Sequence, residues 1–226
     1  MSGRGAALCL LLTLAPFEAL AQVGPDNRPI RRLEVAAGAG MLGGATLDAI
    51  DASLRGNGTA PQSYRLFATE SRWRPAGSIE GRVGVALTRR YGVEGTFAFS
   101  RPELQVSVRS DAEDAPPVDA AERLHQYLVD GALVVSLDAW RFGSFLPVVS
   151  GGAGYARVLH EGLTLIENGQ FVHAGVGVRR WLGASGPFRA AGLRADARLL
   201  VFTGDIALDR GATPRAGLSG SLFVVF

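Results

Sequence analysis

From residue 30 onward the apolar residues of this chain recur at every second position, the signature of a β-strand with one apolar and one polar face. Residues 122–140 show it most clearly. One parity runs His125, Tyr127, Val129, Gly131, Leu133, Val135, Leu137, Ala139, and the other Gln126, Leu128, Asp130, Ala132, Val134, Ser136, Asp138. A helix would set Asp130 and Val134 on one face, so the strand reading holds. The same division separates Ile79, Val83, Val85 and Leu87 from Ser78, Glu80, Arg82 and Thr88, and Val93, Phe97 and Phe99 from Glu94, Thr96, Ala98 and Ser100. It recurs with Leu193, Ala195, Ala197, Leu199 and Val201 against Arg194, Asp196 and Arg198, and with Leu218, Leu222, Val224 and Phe226 against Ser219 and Ser221. Residues 33–43, 145–159 and 171–182 add three glycine-rich strands, which makes eight. At about 10 to 12 residues each, about 3.3 Å per residue and a tilt of about 40°, such strands rise about 25 Å, enough to cross the apolar layer of a membrane.

The connections between these strands alternate in length. The first, residues 45–76, is long and is followed by a short turn at 89–92. Residues 110–121, 160–170 and 204–214 are again long, 141–144 is short, and 183–191 is longer than a short turn requires. After Pro102 the apolar phase flips to Leu104, Val106 and Val108, which predicts a β-bulge. Asp111, Glu113, Asp114 and Asp119 make one long connection acidic, whereas Arg89, Arg90, Arg141 and Arg189 occupy the short ones. Aromatic residues gather near strand ends and predict two interfacial girdles: Tyr91, Trp140, Phe142, Trp181 and Phe188 at one level, and Phe99, Tyr127, Tyr155 and Phe171 at the other. Long outer loops, short inner turns and an even strand count are the pattern of a transmembrane barrel.

Composition narrows the choice. The 226 residues are 47% hydrophobic and 19% charged, as befits a folded chain, and no apolar run approaches the length of a transmembrane helix. Every basic residue other than histidine is arginine, and the net charge is only +2, so nucleic acid is not expected as a partner. With no lysine, neither a P-loop nor Schiff-base chemistry is available. Residues 1–21 read as a cleavable signal peptide: Arg4 is the positive n-region, residues 6–14 the apolar core, and Ala19-Leu20-Ala21 the cleavage site. Cys9 falls inside it, so the mature chain has no disulfide or thiolate chemistry. Residues 22–30 then form a short linker and 31–226 the barrel.

These features resemble the small eight-stranded outer-membrane β-barrel proteins of the OmpA/OmpX-like kind. The resemblance rests on the leader, on the chain stopping at an aromatic (Gly220-Ser221-Leu222-Phe223-Val224-Val225-Phe226), on the middle strand Pro147-Val148-Val149-Ser150-Gly151-Gly152-Ala153-Gly154-Tyr155, and on Ala174-Gly175-Val176-Gly177-Val178-Arg179 and Leu193-Arg194-Ala195-Asp196-Ala197-Arg198. It implies an all-β, eight-stranded antiparallel up-and-down transmembrane barrel in the outer membrane of a Gram-negative-type bacterium. It also implies that Phe226 is the signal read by the barrel-insertion machinery. The chain departs from that pattern in its long first loop and in showing no peptidoglycan-binding domain, so no cell-wall tether is expected.

In such a barrel the polar parity points inward, placing Glu80, Arg82, Glu94, Asp130, Asp138, Arg194, Asp196 and Arg198 in one lumen. Eight strands leave an interior that side chains just fill, so these charges pair into a plug instead of lining a channel. Enzymatic motifs fail. Gly38-Ala39-Gly40-Met41-Leu42-Gly43 matches a dinucleotide-binding pattern, but no acidic residue or second strand follows near 59–62. His173-Ala174-Gly175 has the histidine of a barrel-borne His-x-Ser hydrolase pair but glycine at the nucleophile position. His160, Glu161 and Glu167 match no metal-ligand spacing. No catalytic, cofactor or metal site is expected. The function expected is a non-enzymatic surface barrel, structural or adhesive, in contact with outer-membrane lipid and offering its long loops to an extracellular ligand. The alternatives are a soluble lipocalin-like barrel with its apolar parity inside, and an outer-membrane lipid-modifying enzyme or narrow pore.

Overall fold

The computed structural model describes residues 32–55, 63–109, 118–160, 165–185, 188–203 and 212–226. The leader and linker readings, and most of the acidic loop, lie outside these residues. Twelve strands are present: β1 (Arg32–Leu42), β2 (Ala45–Arg55), β3 (Ser63–Trp73), β4 (Ala76–Ala86), β5 (Tyr91–Ser100), β6 (Glu103–Arg109), β7 (Val118–Arg123), β8 (His125–Ser136), β9 (Phe145–Leu159), β10 (Ile166–Ser185), β11 (Phe188–Thr203) and β12 (Thr213–Val225). Eight of them close a barrel in the order β1-β12-β11-β10-β9-β8-β5-β4, antiparallel throughout. Closure is complete because β1 pairs β12 on one side, from Glu34↔Val225 to Leu42↔Gly217, and β4 on the other, from Arg32↔Ala86 to Leu42↔Ala76. No barrel strand is left with an open edge.

The alternation seen in the sequence maps onto the wall of this barrel inside out. Leu218 (65% exposed), Ile79 (63%) and Val176 (61%) stand on the outer surface, while Arg82 and Arg194 (3% each) are buried within. A soluble barrel enclosing an apolar ligand needs the reverse arrangement. An outward apolar band around a charged interior fits lipid outside and a polar lumen within. The girdle reading needs correction at two residues. Phe171 (1% exposed) and Trp181 point inward, because each occupies the polar parity of β10, opposite the lipid-facing Val172 and Val176.

The remaining strands form a second sheet, β2-β3-β6-β7, drawn from the first long connection (β2, β3) and from the segment between β5 and β8 (β6, β7). The phase flip after Pro102 is therefore no bulge. β5 ends at Ser100, the chain leaves the barrel at Arg101 and Pro102, and β6 opens a new strand paired with β3 from Trp73↔Leu104 to Ala68↔Arg109. Pro102 is buried and lacks an N–H, so it suits the point where one ladder stops and another starts; its carbonyl accepts from Leu124 N–H at 2.9 Å. The expected single strand at 122–140 splits there, into β7 and β8 on either side of the fully buried Leu124. The long 183–191 connection is mostly strand as well: β10 continues to Ser185 and β11 starts at Phe188, with register shifts at Gly183.

The two sheets meet in one apolar cluster at the end of the barrel remote from the short turns. Leu47, Trp73, Leu104 and Leu124 from the second sheet and its junction pack against Leu42, Leu128, Phe171, Leu200 and Phe202 of the barrel. A smaller cluster of Ala36, Phe223 and Val225, with Trp181 against it, lies near the short-turn end. By the usual placing of short turns we call that end inner and the other outer.

Candidate functional site: the charged interior

Between the two apolar clusters the inward positions of six strands carry charge, and the barrel brings them into one network. Arg82 (β4) donates to Asp196 (β11) at 2.8 Å, to Glu80 on its own strand and to Ser219 Oγ at 2.9 Å, and lies 3.7 Å from Glu94 (β5). Arg194 bridges Asp196 at 2.9 Å and Glu94. Arg198 reaches Glu80 and, at 4.0 Å, Asp130 on β8. Arg179 (β10) joins Glu34 (β1) at 3.0 Å and Glu94 at 3.8 Å. At the outer end of the network His173 Nε2 lies 3.3 Å from Asp130.

Seven of the eight residues singled out by parity meet here. Asp138 does not. β8 ends at Ser136, and Asp138 begins an exposed 3₁₀ turn, Asp138–Trp140, so its parity no longer refers to the barrel wall. Three members were not among the expected lumen charges: Glu34, Arg179 and His173, the last considered only as half of a hydrolase pair. All three sit on inward parity, two residues from the inward Ala36, Gly177 and Gly175, and that phase was the available signal. The network thus holds five carboxylates against four guanidiniums, with His173 as the fifth basic group.

Glycine makes the interior wide enough for these groups at two positions in particular. A Cβ on Gly177 would stand 2.5 Å from the Asp196 carboxylate, and one on Gly154 2.5 Å from the Phe171 ring. The recurrent Gly-x-Gly pairs of the sequence are thus inner-wall positions. Phe171 lies across the lumen against Phe202, ring centroids 5.3 Å apart. Above it Arg215 (1% exposed) sits 4.4 Å from the Trp73 ring and 5.7 Å from Phe202, and donates to Gly43 O at 2.9 Å and Gln126 Oε1 at 3.1 Å. No carboxylate among the described residues pairs with it, so the aromatic faces provide its counter-field.

The other histidine candidates are held by structural contacts. His160 stands between Glu122, 3.0 Å from Nδ1, and Glu167, 3.6 Å from Nε2. Two carboxylates on opposite ring nitrogens do not converge on one point, and no group of three metal-ligating side chains occurs among the described residues. Gly175, two residues after His173, faces the Arg198 side chain.

No protein-family model matches the chain, and no curated protein matches it by sequence. Solved structures do match its fold. The outer membrane protein OprG from Pseudomonas aeruginosa superimposes with a TM-score of 0.55 at 12% identity, over 88% of this chain and 97% of that one. Neisserial surface protein A does so with a TM-score of 0.53 at 12% identity, over 86% and 97%. The fold is that of the eight-stranded outer-membrane β-barrels. Within that class this chain has a lumen filled by an ionic network and a four-stranded second sheet joined to its outer rim.

Proposed function

We propose that this protein is a non-enzymatic barrel of the outer membrane whose sealed wall serves as a rigid pedestal for the second sheet, and that this sheet is the surface offered to an extracellular partner. The observation that carries the reading is the junction between sheet and barrel. Trp73 is 2% exposed and edge-on to Phe202 at 6.3 Å, and Leu104 and Leu124 fill the same cluster. Covering a barrel mouth needs only a loop. Holding four strands in a fixed direction by a buried tryptophan and an arginine clamp suits a presenting surface.

The test compares the native chain with one in which β2 and β3 are replaced by a short turn. Proteoliposomes carrying each are applied to arrays of glycans and extracellular-matrix proteins, and both proteins are examined in planar bilayers. Binding confined to the native chain, with no conductance steps from it, is expected. Equal binding by the shortened chain, or stable ohmic steps from the native one, overturns the proposal.

Phe226 belongs to the same reading as the assembly signal. It lies on the outward parity of the last strand, its N–H bonded to Leu33 O at 2.9 Å across the closing seam. Deleting it is expected to lower outer-membrane levels and raise periplasmic degradation, measured by fractionation and immunoblot; unchanged levels refute the role.

A further inference from the structure

The inner mouth of the barrel encloses a cavity of about 680 Å³, below the ionic network and open toward the short turns. That volume suits a small organic ligand. Its rim carries Arg32, Arg89, Arg90 and Arg141, all exposed, and none of the four forms an ion pair with a described residue. Asp138 is the acidic residue among them. The acids deeper in, Glu34 and Glu94, are already engaged by Arg179 and Arg194, so they leave the positive collar uncancelled. On the floor the Arg179 Nε–H is buried and has no hydrogen-bond acceptor. The wall between floor and rim is apolar, formed by Val134, Leu146, Trp181 and Val225.

Four like charges gathered at a cavity mouth repel one another unless an anion joins them, and a low-dielectric wall behind them concentrates their field. Arginines unpaired among the described residues, an unsatisfied buried donor and an apolar wall describe complementary halves of one ligand. We propose that this inner vestibule binds a small amphiphilic anion, its carboxylate or phosphate held by the arginine collar and its compact apolar body laid against Trp181 and Leu146. The same chemistry is available from a soluble periplasmic metabolite or from the headgroup of an inner-leaflet lipid. The proposal does not depend on the role of the second sheet, which lies at the opposite end.

The probe is phenyl phosphate, titrated calorimetrically against the full mature chain in phosphatidylcholine nanodiscs, with phenol and inorganic phosphate as its separate halves. Saturable binding of phenyl phosphate, stronger than that of either half, is expected. The Arg89→Gln/Arg90→Gln pair should weaken it about tenfold or more, since each charge-assisted contact is worth at least that factor. Asp138→Asn should strengthen it by removing the rim's acid. The β4–β5 turn is held by Thr88 Oγ1 accepting from the backbone of Arg90 and Tyr91, so the double variant keeps its fold, checked by gel mobility before and after boiling. Repeating the titration with phosphatidylglycerol in the disc separates the sources: competition identifies a lipid headgroup, and undiminished binding a soluble anion. Absence of saturable binding, or binding indifferent to the arginine substitutions, overturns the site.

Discussion

Arg82 and Val83 are neighbours in sequence and opposites in environment, and the barrel's physics can be tested on this pair. Arg82 is 3% exposed with three carboxylates around it; Val83 is 52% exposed on the outer wall. Arg82→Met strands buried carboxylates and should cost about 3–5 kcal/mol, measured by urea unfolding in lipid vesicles. Adding Asp196→Asn should restore part of that loss; strictly additive effects would show that the two do not interact. Val83→Arg sets a cation against lipid and should cost about 2–4 kcal/mol in the same assay, with little loss if the outer wall faces water. Much of the interior was legible because period two requires only neighbours to be read: Glu80, Arg82, Glu94, Asp130, Arg194, Asp196 and Arg198 follow from phase alone. Asp138 misled because its phase continues past the end of β8, where a 3₁₀ turn takes over. Arg215 shares the inward phase of Ser221 on β12, but that phase could not show its surroundings, since Trp73 and Gln126 come from β3 and β8, far away in the chain.

At the scale of strands, the eight barrel elements were legible and the four of the second sheet were not. A barrel strand faces lipid on one side and a packed lumen on the other, so its two faces need different residues and the contrast appears in the sequence. β3 reads Ser-Tyr-Arg-Leu-Phe-Ala-Thr-Glu-Ser-Arg-Trp, and among its described side chains, residues 68–73, there is an exposed Arg72–Glu70 pair and a buried Trp73 at the end. Its described anchor lies in the junction. Trp73→Ala should therefore remove the anchor at a cost of about 3–5 kcal/mol felt mainly by the second sheet. Hydrogen exchange should quicken in β2, β3 and β6 and leave the amides of β9 to β11 protected; uniform quickening across all strands would mean that the two sheets unfold as one unit.

The whole molecule behaves as a closed cylinder, and closure makes its own prediction. With every barrel strand paired on both sides, the protein taken from membranes should migrate faster in SDS before boiling than after. Identical mobility in both lanes is incompatible with the architecture. The ionic network adds a consequence for how such a cylinder comes into being. Its partners are drawn from opposite ends of the chain: Glu34 on the first strand meets Arg179 on β10, and Arg82 on β4 meets Asp196 on β11. A sheet that has entered the bilayer but not yet curled shut keeps Glu34 from Arg179, and leaves Arg82 only Glu80 and Asp196 only Arg194 from their own strands. Every partial state on the way is thereby penalised relative to the start and the finish. The charges act as a ratchet on biogenesis, favouring a chain that inserts and seals in one concerted passage over one that threads strand by strand.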